Sequence, residues 1–244
     1  MSRVLRTGEN KITNTYANHN GWSKGVDVVK KLENGLSTID DITAHTDGTV
    51  IKVVDYMTGT NGKLDRESMG YGNYVMILHK NKYRNKYMVT LYAHLAKVDS
   101  KIKEGVTVVK GQVLGVIGNT GGSSGAHLHH ELRLFDTEPV YTALHNTALF
   151  EWIDPTPYLD TDLPTDPLYR VQTGSFLVKD NAVRQAKKLI ADGFPAIIKK
   201  HGLNHRVQVG AYTVKSNAIN MENRLKAKGY KTYITTESGI DIPF

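Results

Sequence analysis

The sequence predicts two domains of different fold class: a mainly β domain with an antiparallel or barrel-like sheet, followed by a small α+β domain. Three observations support this division. Short runs rich in Val and Ile, separated by Gly and Asn, fill the N-terminal part, which is typical of a β domain. A Pro-rich acidic segment follows, and beyond it strand-like and helix-like stretches recur at a fixed offset. We therefore predict domains at residues 1–153 and 169–244, joined by a linker at residues 154–168.

Four apolar runs mark strands of the predicted β domain, at residues 48–54, 74–78, 88–92 and 113–117. Each run is bounded by turn-forming residues and has the length of an ordinary strand. Residues 56–73 interrupt this series with four glycines and several charges. We expect this stretch to be a long loop beside the functional groove, where it helps to select what binds.

The predicted linker is marked by proline and by a change in charge. Residues 154–167 hold four of the seven prolines and carry no helical or strand period. Residues 165–244 contain 13 Lys and Arg against 6 Asp and Glu, whereas residues 1–164 contain 18 of each, so the C-terminal part carries the whole net charge of +7. Any basic partner-binding surface therefore belongs to the C-terminal domain.

The C-terminal domain contains an internal repeat. Residues 169–176 recur as residues 205–212, so that Gln172 matches Gln208 and Phe176 matches Tyr212 at an offset of 36 residues. Each copy continues with an Ala- and Lys-rich helical stretch, a Gly-aromatic pair and a second strand. The sequence thus predicts the order β-α-β-β-α-β.

Composition and missing motifs exclude several kinds of protein. The chain has no cysteine, which removes disulfides, thiolate zinc ligands and thiol nucleophiles together. No stretch of about 18 apolar residues occurs, so we expect no membrane-spanning helix. The glycine-rich run 118–125 lacks a Lys-Ser or Lys-Thr ending, and Ser123 and Ser124 lack the Gly-x-Ser-x-Gly turn of a serine nucleophile.

Metal chemistry fits the remaining polar residues best. His127 and His129 are two apart on a predicted strand, so both imidazoles lie on one face and can converge on one point. Zinc commonly takes imidazole ligands, and a catalytic zinc needs about three protein ligands and an open position. Asp27 and His94, each in a motif-like segment upstream, are the candidate partners.

The segments around Asp27, His94, Gly118–Gly122 and His127–His129 together resemble the lysostaphin-type zinc endopeptidases, which cut peptide cross-links in bacterial peptidoglycan. This resemblance spans residues 12–159. It implies that Asp27 and His129 bind one zinc ion and that His94 and His127 are catalytic, handling protons or the oxyanion. It also implies an extracellular or cell-wall location. Because the N-terminus lacks the apolar core of a secretory signal, we expect a removed signal or release of the phage-lysin type.

The repeated C-terminal pattern resembles the sporulation-related repeat domain, which binds bacterial cell-wall glycan. The resemblance implies that Gln172 and Gln208 hydrogen-bond sugar hydroxyls and that Phe176 and Tyr212 offer apolar faces to sugar rings. Core packing is the alternative role for the two aromatic rings. A fold of this outline also binds RNA in other proteins, but no Lys/Arg-Gly-Phe/Tyr signature occurs here, so we expect peptidoglycan and no nucleic acid as partner.

One zinc ligand of the resembled family is missing. Ser23 occupies the position of the first ligand histidine, and a serine hydroxyl is a poor replacement for imidazole on zinc. His19, brought in by a loop with Gly21 as its hinge, is one possible substitute; a bound water or a weak two-ligand site are others. His130 is a poorer candidate because it should point to the opposite face of the strand. The alternative function is a catalytically impaired, peptidase-like protein that binds the wall or regulates.

Overall fold

A computed structural model describes residues 4–5, 9–19, 23–32, 35–37, 40–58 and 70–244 of the chain. Gly21 and most of the predicted loop at 56–73, namely residues 59–69, lie outside the described residues. The chain divides into two compact units, Met1–Thr165 and Asp166–Phe244. The first is mainly β and the second is α+β, which confirms the predicted fold class.

The first unit is built from antiparallel strands. In the described part of the chain these are β1 (Glu9–Asn14), β2 (Val26–Leu32), β3 (Gly35–Ser37), β4 (Asp41–Thr43), β5 (Gly48–Val54), β6 (Asn73–His79), β7 (Tyr87–Val98), β8 (Thr107–Val108), β9 (Val113–Ile117), β10 (Leu128–Phe135) and β11 (Phe150–Ile153). Short 3-10 turns lie at Tyr16–Asn18, Tyr141–Ala143 and Thr156–Tyr158. The four predicted strand runs correspond to β5, β6, β7 and β9.

The sheet of the first unit places β10 at its centre. Its main path runs β1-β2-β10-β7-β6-β5-β8, with β3 beside β2, β11 beside β10, and β9 joining β7 to β4. β10 pairs with β7 along one edge, and with β2 and then β11 along the other. Any functional residue on β10 is therefore flanked by two strands that hold it in register.

Both faces of the central strands are covered by apolar side chains. Val75 and Ile77 of β6 join one core cluster, while the alternating Tyr74 and Met76 join a second cluster on the other face. Burial on both faces explains why these strands read as continuous apolar runs rather than as an alternating pattern.

The proline-rich segment packs in part against the first unit. Leu159 and Leu163 are both buried there, at 4% exposure each. The Thr161 carbonyl accepts a hydrogen bond from His45 Nε2 at 2.7 Å. The first twelve residues of the predicted linker, 154–165, thus belong to the first unit, and the division between the units follows Thr165.

The second unit follows the repeat that the sequence predicts and adds one strand. Its elements are β12 (Tyr169–Phe176), α1 (Lys179–Ala191), β13 (Ile197–His201), β14 (Asn204–Tyr212), α2 (Lys215–Ala227), β15 (Tyr233–Thr235) and β16 (Ile240–Ile242). The antiparallel sheet has the order β15-β12-β14-β13-β16. Both helices pack on one face of this sheet.

The two helices of the second unit bury small and apolar side chains at helical spacing and end in the same way. Ala182, Ala186 and Leu189 of α1 recur at helical spacing and are fully buried. Each helix ends before a glycine with left-handed backbone, Gly193 (φ 84°) and Gly229 (φ 83°), a conformation that glycine adopts without a steric cost. In the described part of the chain, no helix is both long enough and apolar enough to cross a membrane.

Candidate functional site

The site is centred on a cross-strand pair, Asp27 of β2 and His129 of β10. The two residues lie directly opposite each other in the antiparallel ladder, so their side chains share one face of the sheet. The Nδ1 atom of His129 lies 2.9 Å from Asp27 Oδ1. Residues 102 positions apart in sequence are thus brought together by strand register alone.

His19 reaches the same carboxylate from the connection between β1 and β2. It follows the 3-10 turn Tyr16–Asn18, and its Nε2 atom lies 3.2 Å from Asp27 Oδ1 and 3.2 Å from Asn14 Nδ2. One donor atom from each of His19, Asp27 and His129 lies within 4.8 Å of the others. These distances fit a set of three ligands around a single small cation.

Asp27 is held as a carboxylate by its histidine neighbours. Burial raises the pKa of its carboxyl, but hydrogen bonds from His127, His129 and His19 outweigh this and hold the pKa well below its ordinary value. The same contacts act on His129, whose burial lowers its pKa while hydrogen bonds to Asp27 and Glu131 raise it to about 9.

His127 lies at the start of β10, on the same face as His129. Its backbone N–H donates to the Gly118 carbonyl at 3.1 Å, which fixes the chain just before the strand. Its Nδ1–H donates to the Gly125 carbonyl at 2.7 Å. The other ring nitrogen, Nε2, lies 3.3 Å from Asp27 Oδ1. The contact with the backbone thus makes Nδ1 a donor and leaves Nε2 as the nitrogen that faces Asp27.

His94 joins the site through an unusual backbone conformation. Strand alternation alone would turn His94 away from the face that its neighbour Ala93 shares with His129. Its φ of 63° is left-handed, a costly conformation for a non-glycine residue, and brings its ring within 4.8 Å of the His127 ring. His94 Nδ1–H donates to the Thr120 carbonyl at 2.8 Å, and burial lowers its pKa to about 3.

These side chains line a cavity of about 250 Å³. Its walls are formed by His19, Ser23, Asp27, Gly70, Tyr71, His94, Gly122, Ser123, Ser124, His127 and His129. Ser23 lines this cavity, but its side chain hydrogen-bonds to Tyr71. The structure thus gathers the sequence-predicted residues Asp27, His94, His127 and His129 together with His19.

A buried charged network behind His129 was missed in the sequence analysis. His129 Nε2 lies 3.0 Å from Glu131 Oε1, and Glu131 forms an ion pair with Arg133 at 2.6 Å. Tyr71 and Trp152 also donate hydrogen bonds to Glu131. The signal was present, because positions 127, 129, 131 and 133 alternate along one strand and therefore share a face.

The other buried histidines of the first unit lie away from the cavity. His130 points to the opposite face of β10 from His129, where its Nδ1–H donates to the Leu91 carbonyl at 3.1 Å. His45 lies 5.8 Å from the His130 ring, and His79 Nε2 bonds to Thr90 Oγ1 at 2.8 Å. These contacts are structural ones within the core.

In the second unit, Gln172 and Gln208 lie opposite each other on β12 and β14. They point away from the helices, since their neighbours Val171 and Val207 lie in the core beneath the helices. In the same row across the sheet lie Tyr233, whose hydroxyl donates to Gln172, and Ile197. Gln208 Oε1 is buried with no hydrogen-bond partner among the described residues.

Phe176 and Tyr212 occupy a different position from the two glutamines. Both rings pack against the core of the second unit, and each lies over a glycine two residues earlier, Gly174 or Gly210. A β-carbon at either glycine would approach the ring within 2.6 Å, so the glycines make room for the rings. The role in sugar binding that the sequence suggests for these aromatics stays a prediction.

Comparison with known protein families gives two matches. Residues 21–141 match peptidase family M23, and residues 165–236 match the SPOR domain. The first match contains Asp27, His94, His127 and His129, and the second contains both copies of the repeat.

Similar proteins match this chain only in part. Residues of this chain are 46% identical over 61 positions to the peptidoglycan DD-endopeptidase ShyA of Vibrio cholerae, covering 25% of this chain and 13% of ShyA. They are 48% identical over 82 positions to the DD-carboxypeptidase/endopeptidase Mpg of Neisseria meningitidis, covering 33% and 17%. The chain thus spans less than a fifth of these relatives.

Among solved structures, the catalytic domain of lysostaphin from Staphylococcus simulans aligns with 62% of this chain and 93% of that domain, at 19% identity and a TM-score of 0.41. The family assignments rest on the sequence matches. The chain therefore contains a lysostaphin-type M23 peptidase domain followed by a SPOR domain, as its motifs predicted.

Proposed function

We propose that the chain is a zinc-dependent endopeptidase that cuts peptide cross-links in bacterial peptidoglycan and is held at the wall by its C-terminal domain. The observation that carries this proposal is the convergence of three imidazole nitrogens on Asp27 Oδ1 in an open cavity of the M23 domain. Both similar proteins named above are called endopeptidases, and the name of one includes peptidoglycan.

The proposed zinc ligands are His19 Nε2, Asp27 Oδ1 and His129 Nδ1. Two imidazoles and one carboxylate form a donor set that suits catalytic zinc and leaves a position for water. His19 supplies the imidazole that the family places at Ser23. When bound, zinc would polarise the scissile carbonyl and lower the pKa of water at the site.

His127 and His94 are the proposed catalytic residues. Each donates its Nδ1–H to a backbone carbonyl, that of Gly125 or Thr120, so in a neutral ring Nε2 is the nitrogen left to accept a proton. For His127 this requires that Nε2 no longer donates to Asp27 Oδ1, which lies 3.3 Å away. A bare nitrogen in the cavity suits acceptance of a proton from the attacking water. Stabilisation of the oxyanion by His94 requires the same nitrogen to be protonated first, so proton transfer and oxyanion binding are sequential in this arrangement.

The C-terminal domain is proposed to bind glycan strands on the sheet face opposite the two helices. The supporting features are the Gln172–Gln208 pair, the unpartnered Gln208 Oε1 and the half-exposed ring of Tyr233. Amides beside an aromatic ring suit sugar hydroxyls and the apolar sugar face. Attachment to the wall raises the effective concentration of cross-links for the peptidase domain.

The test uses the full chain with purified peptidoglycan, with and without a zinc chelator, and counts new peptide amino termini by mass spectrometry. We expect release that the chelator abolishes and that added zinc restores. Release of fragments that the chelator leaves unchanged would refute the metal mechanism. No release from several wall types would favour a catalytically impaired wall-binding protein.

Replacement of His19 by alanine tests the ligand assignment. Structural zinc sites bind with about 10–16 kcal/mol across four ligands, so one ligand is worth roughly 3 kcal/mol, or about 100-fold in affinity. We expect His19→Ala to lose zinc affinity and cleavage rate by about that factor, and Asn18→Ala, at the exposed neighbouring position, to lose neither. Equal zinc affinity in His19→Ala and wild type would exclude His19 as a ligand.

A further inference from the structure

Glu131 is the most completely hydrogen-bonded buried carboxylate near the cavity. Its Oε2 atom accepts from Arg133 Nε at 2.7 Å, from Arg133 NH2 at 2.6 Å and from Trp152 Nε1 at 3.1 Å. Its Oε1 atom accepts from the Tyr71 hydroxyl at 2.7 Å and lies 3.0 Å from His129 Nε2. Glu131 is 0% exposed and Arg133 is 1% exposed.

We propose that Glu131 is a positioning residue that holds His129 with Nε2–H donated to Oε1 and Nδ1 turned to the metal. This inference rests on the proposed function and extends it to the residue behind the ligand. A carboxylate accepts hydrogen bonds only, and both ring nitrogens of His129 face one. Asp27 lines the cavity and is itself a proposed ligand, whereas Glu131 is fully buried behind the ring, so Nε2 is the nitrogen that keeps its proton when zinc binds. The other nitrogen, which lies beside Asp27 Oδ1, is then the one that coordinates.

The surroundings of Glu131 fix the orientation of its carboxylate, with Oε2 toward Arg133 and Oε1 toward His129. Arg133 cannot turn away, because its NH1 group also donates to the Leu144 carbonyl and its NH2 group to the Tyr71 hydroxyl. The Oε2 side of Glu131 therefore always faces donors. An ion pair needs no contact with His129 to neutralise Arg133, so the His129 contact is a separate feature of the network.

A glutamine at position 131 would reverse the polarity seen by His129. Its carbonyl oxygen must face the donors of Arg133 and Trp152, which turns its NH2 group toward His129 Nε2. That nitrogen must then accept, which moves the ring proton to Nδ1, where it blocks coordination. The substitution keeps side-chain size, so its effect on zinc is chemical rather than steric.

The experiment compares wild type, Glu131→Gln and Glu151→Gln as full-length chains. Glu151 is a half-exposed glutamate of the same unit, paired with Arg84, and serves as the matched control. Zinc affinity is measured by competition with a chromophoric chelator, and thermal unfolding of the metal-free proteins is recorded beside it. We expect Glu131→Gln to bind zinc about 10–100-fold more weakly while Glu151→Gln binds like wild type.

A spectroscopic measurement on the wild type keeps the proposal testable even where Glu131→Gln fails to fold. Long-range ¹H–¹⁵N spectra of the zinc-loaded protein, assigned with His129→Gln, report which ring nitrogen carries the proton. We expect a proton on His129 Nε2 and none on Nδ1. The reverse assignment, or a folded Glu131→Gln with wild-type zinc affinity, overturns the role of Glu131. A wild-type chain that binds no zinc overturns the proposed function itself, which separates the two failures.

Discussion

Gly25 allows β2 and β10 to approach closely enough for Asp27 and His129 to meet, and its replacement by alanine is the most direct steric test of the site. A β-carbon at Gly25 would lie 2.6 Å from the His130 carbonyl oxygen and 2.9 Å from His129 Cε1. Ordinary contacts begin near 3.4 Å, so the two strands must separate by about 0.8 Å at this point. The nearest atom is backbone, which cannot rotate out of the way.

The size of this shift predicts the size of the effect. Metal ligands tolerate displacements of about 0.2 Å, and a misplacement near 1 Å costs on the order of 100-fold in rate. We therefore expect Gly25→Ala to reduce peptidoglycan cleavage about 100-fold, to weaken zinc binding, and to lower the free energy of unfolding by about 1–3 kcal/mol.

The assay measures release of peptide amino termini, zinc competition and thermal unfolding on the same preparations. Lys24→Ala, which truncates the exposed neighbouring side chain, is the control and should behave like wild type. A folded Gly25→Ala protein with wild-type zinc affinity and rate would refute the claim that this strand contact positions the ligands.

Two further predictions concern a core histidine and the glycan face. Burial lowers the pKa of His79 to about 4 from 6.5, so the unfolded chain binds a proton first as pH falls, and this group removes about 2 kcal/mol of stability at pH 5. Between pH 7.5 and pH 5, the unfolding temperature of His79→Gln should therefore fall by less than that of wild type. An equal fall in both proteins would contradict this. In a pelleting assay with purified glycan strands, a smaller fraction of Gln208→Leu than of the control Asn217→Leu, on the helix side, should bind. Because Gln208 Oε1 has no partner among the described residues, we expect Gln208→Leu to fold.

Most of the fold could be predicted from local sequence patterns, because strand and helix periods are local properties. The four apolar runs and the 36-residue repeat correspond to observed elements. What the pattern could not give depends on tertiary contact. Leu159 and Leu163, in a stretch that reads as linker, are buried against the first unit. The short strand β16 is stabilised by pairing with β13, and its own sequence carries little strand signal.

The candidate site also contains features that the sequence predicts and features that depend on tertiary structure. Asp27, His94, His127 and His129 were recognised from motifs, and strand register accounts for the Asp27–His129 pair. The orientation of His94 depends on a left-handed φ that no residue-type rule predicts for histidine. Glu131 required only the alternation already used for the two histidines before it, and was missed because that pattern was not followed past His129.

The proposed replacement of the Ser23 position by His19 would allow a complete set of zinc ligands in a chain that has serine at position 23. Position 23 lies in the three residues that directly precede β2. His19 instead follows the preceding 3-10 turn, and its Nε2 atom lies 3.2 Å from Asp27 Oδ1. Ser23 is then free to hydrogen-bond Tyr71, which in turn donates to Glu131 behind His129. In the proposed site, the serine would therefore support the orientation of one ligand, while the histidine four residues earlier would take the place of another. In this proposal zinc affinity should depend on the 3-10 turn Tyr16–Asn18, which places His19, as well as on the ligands themselves.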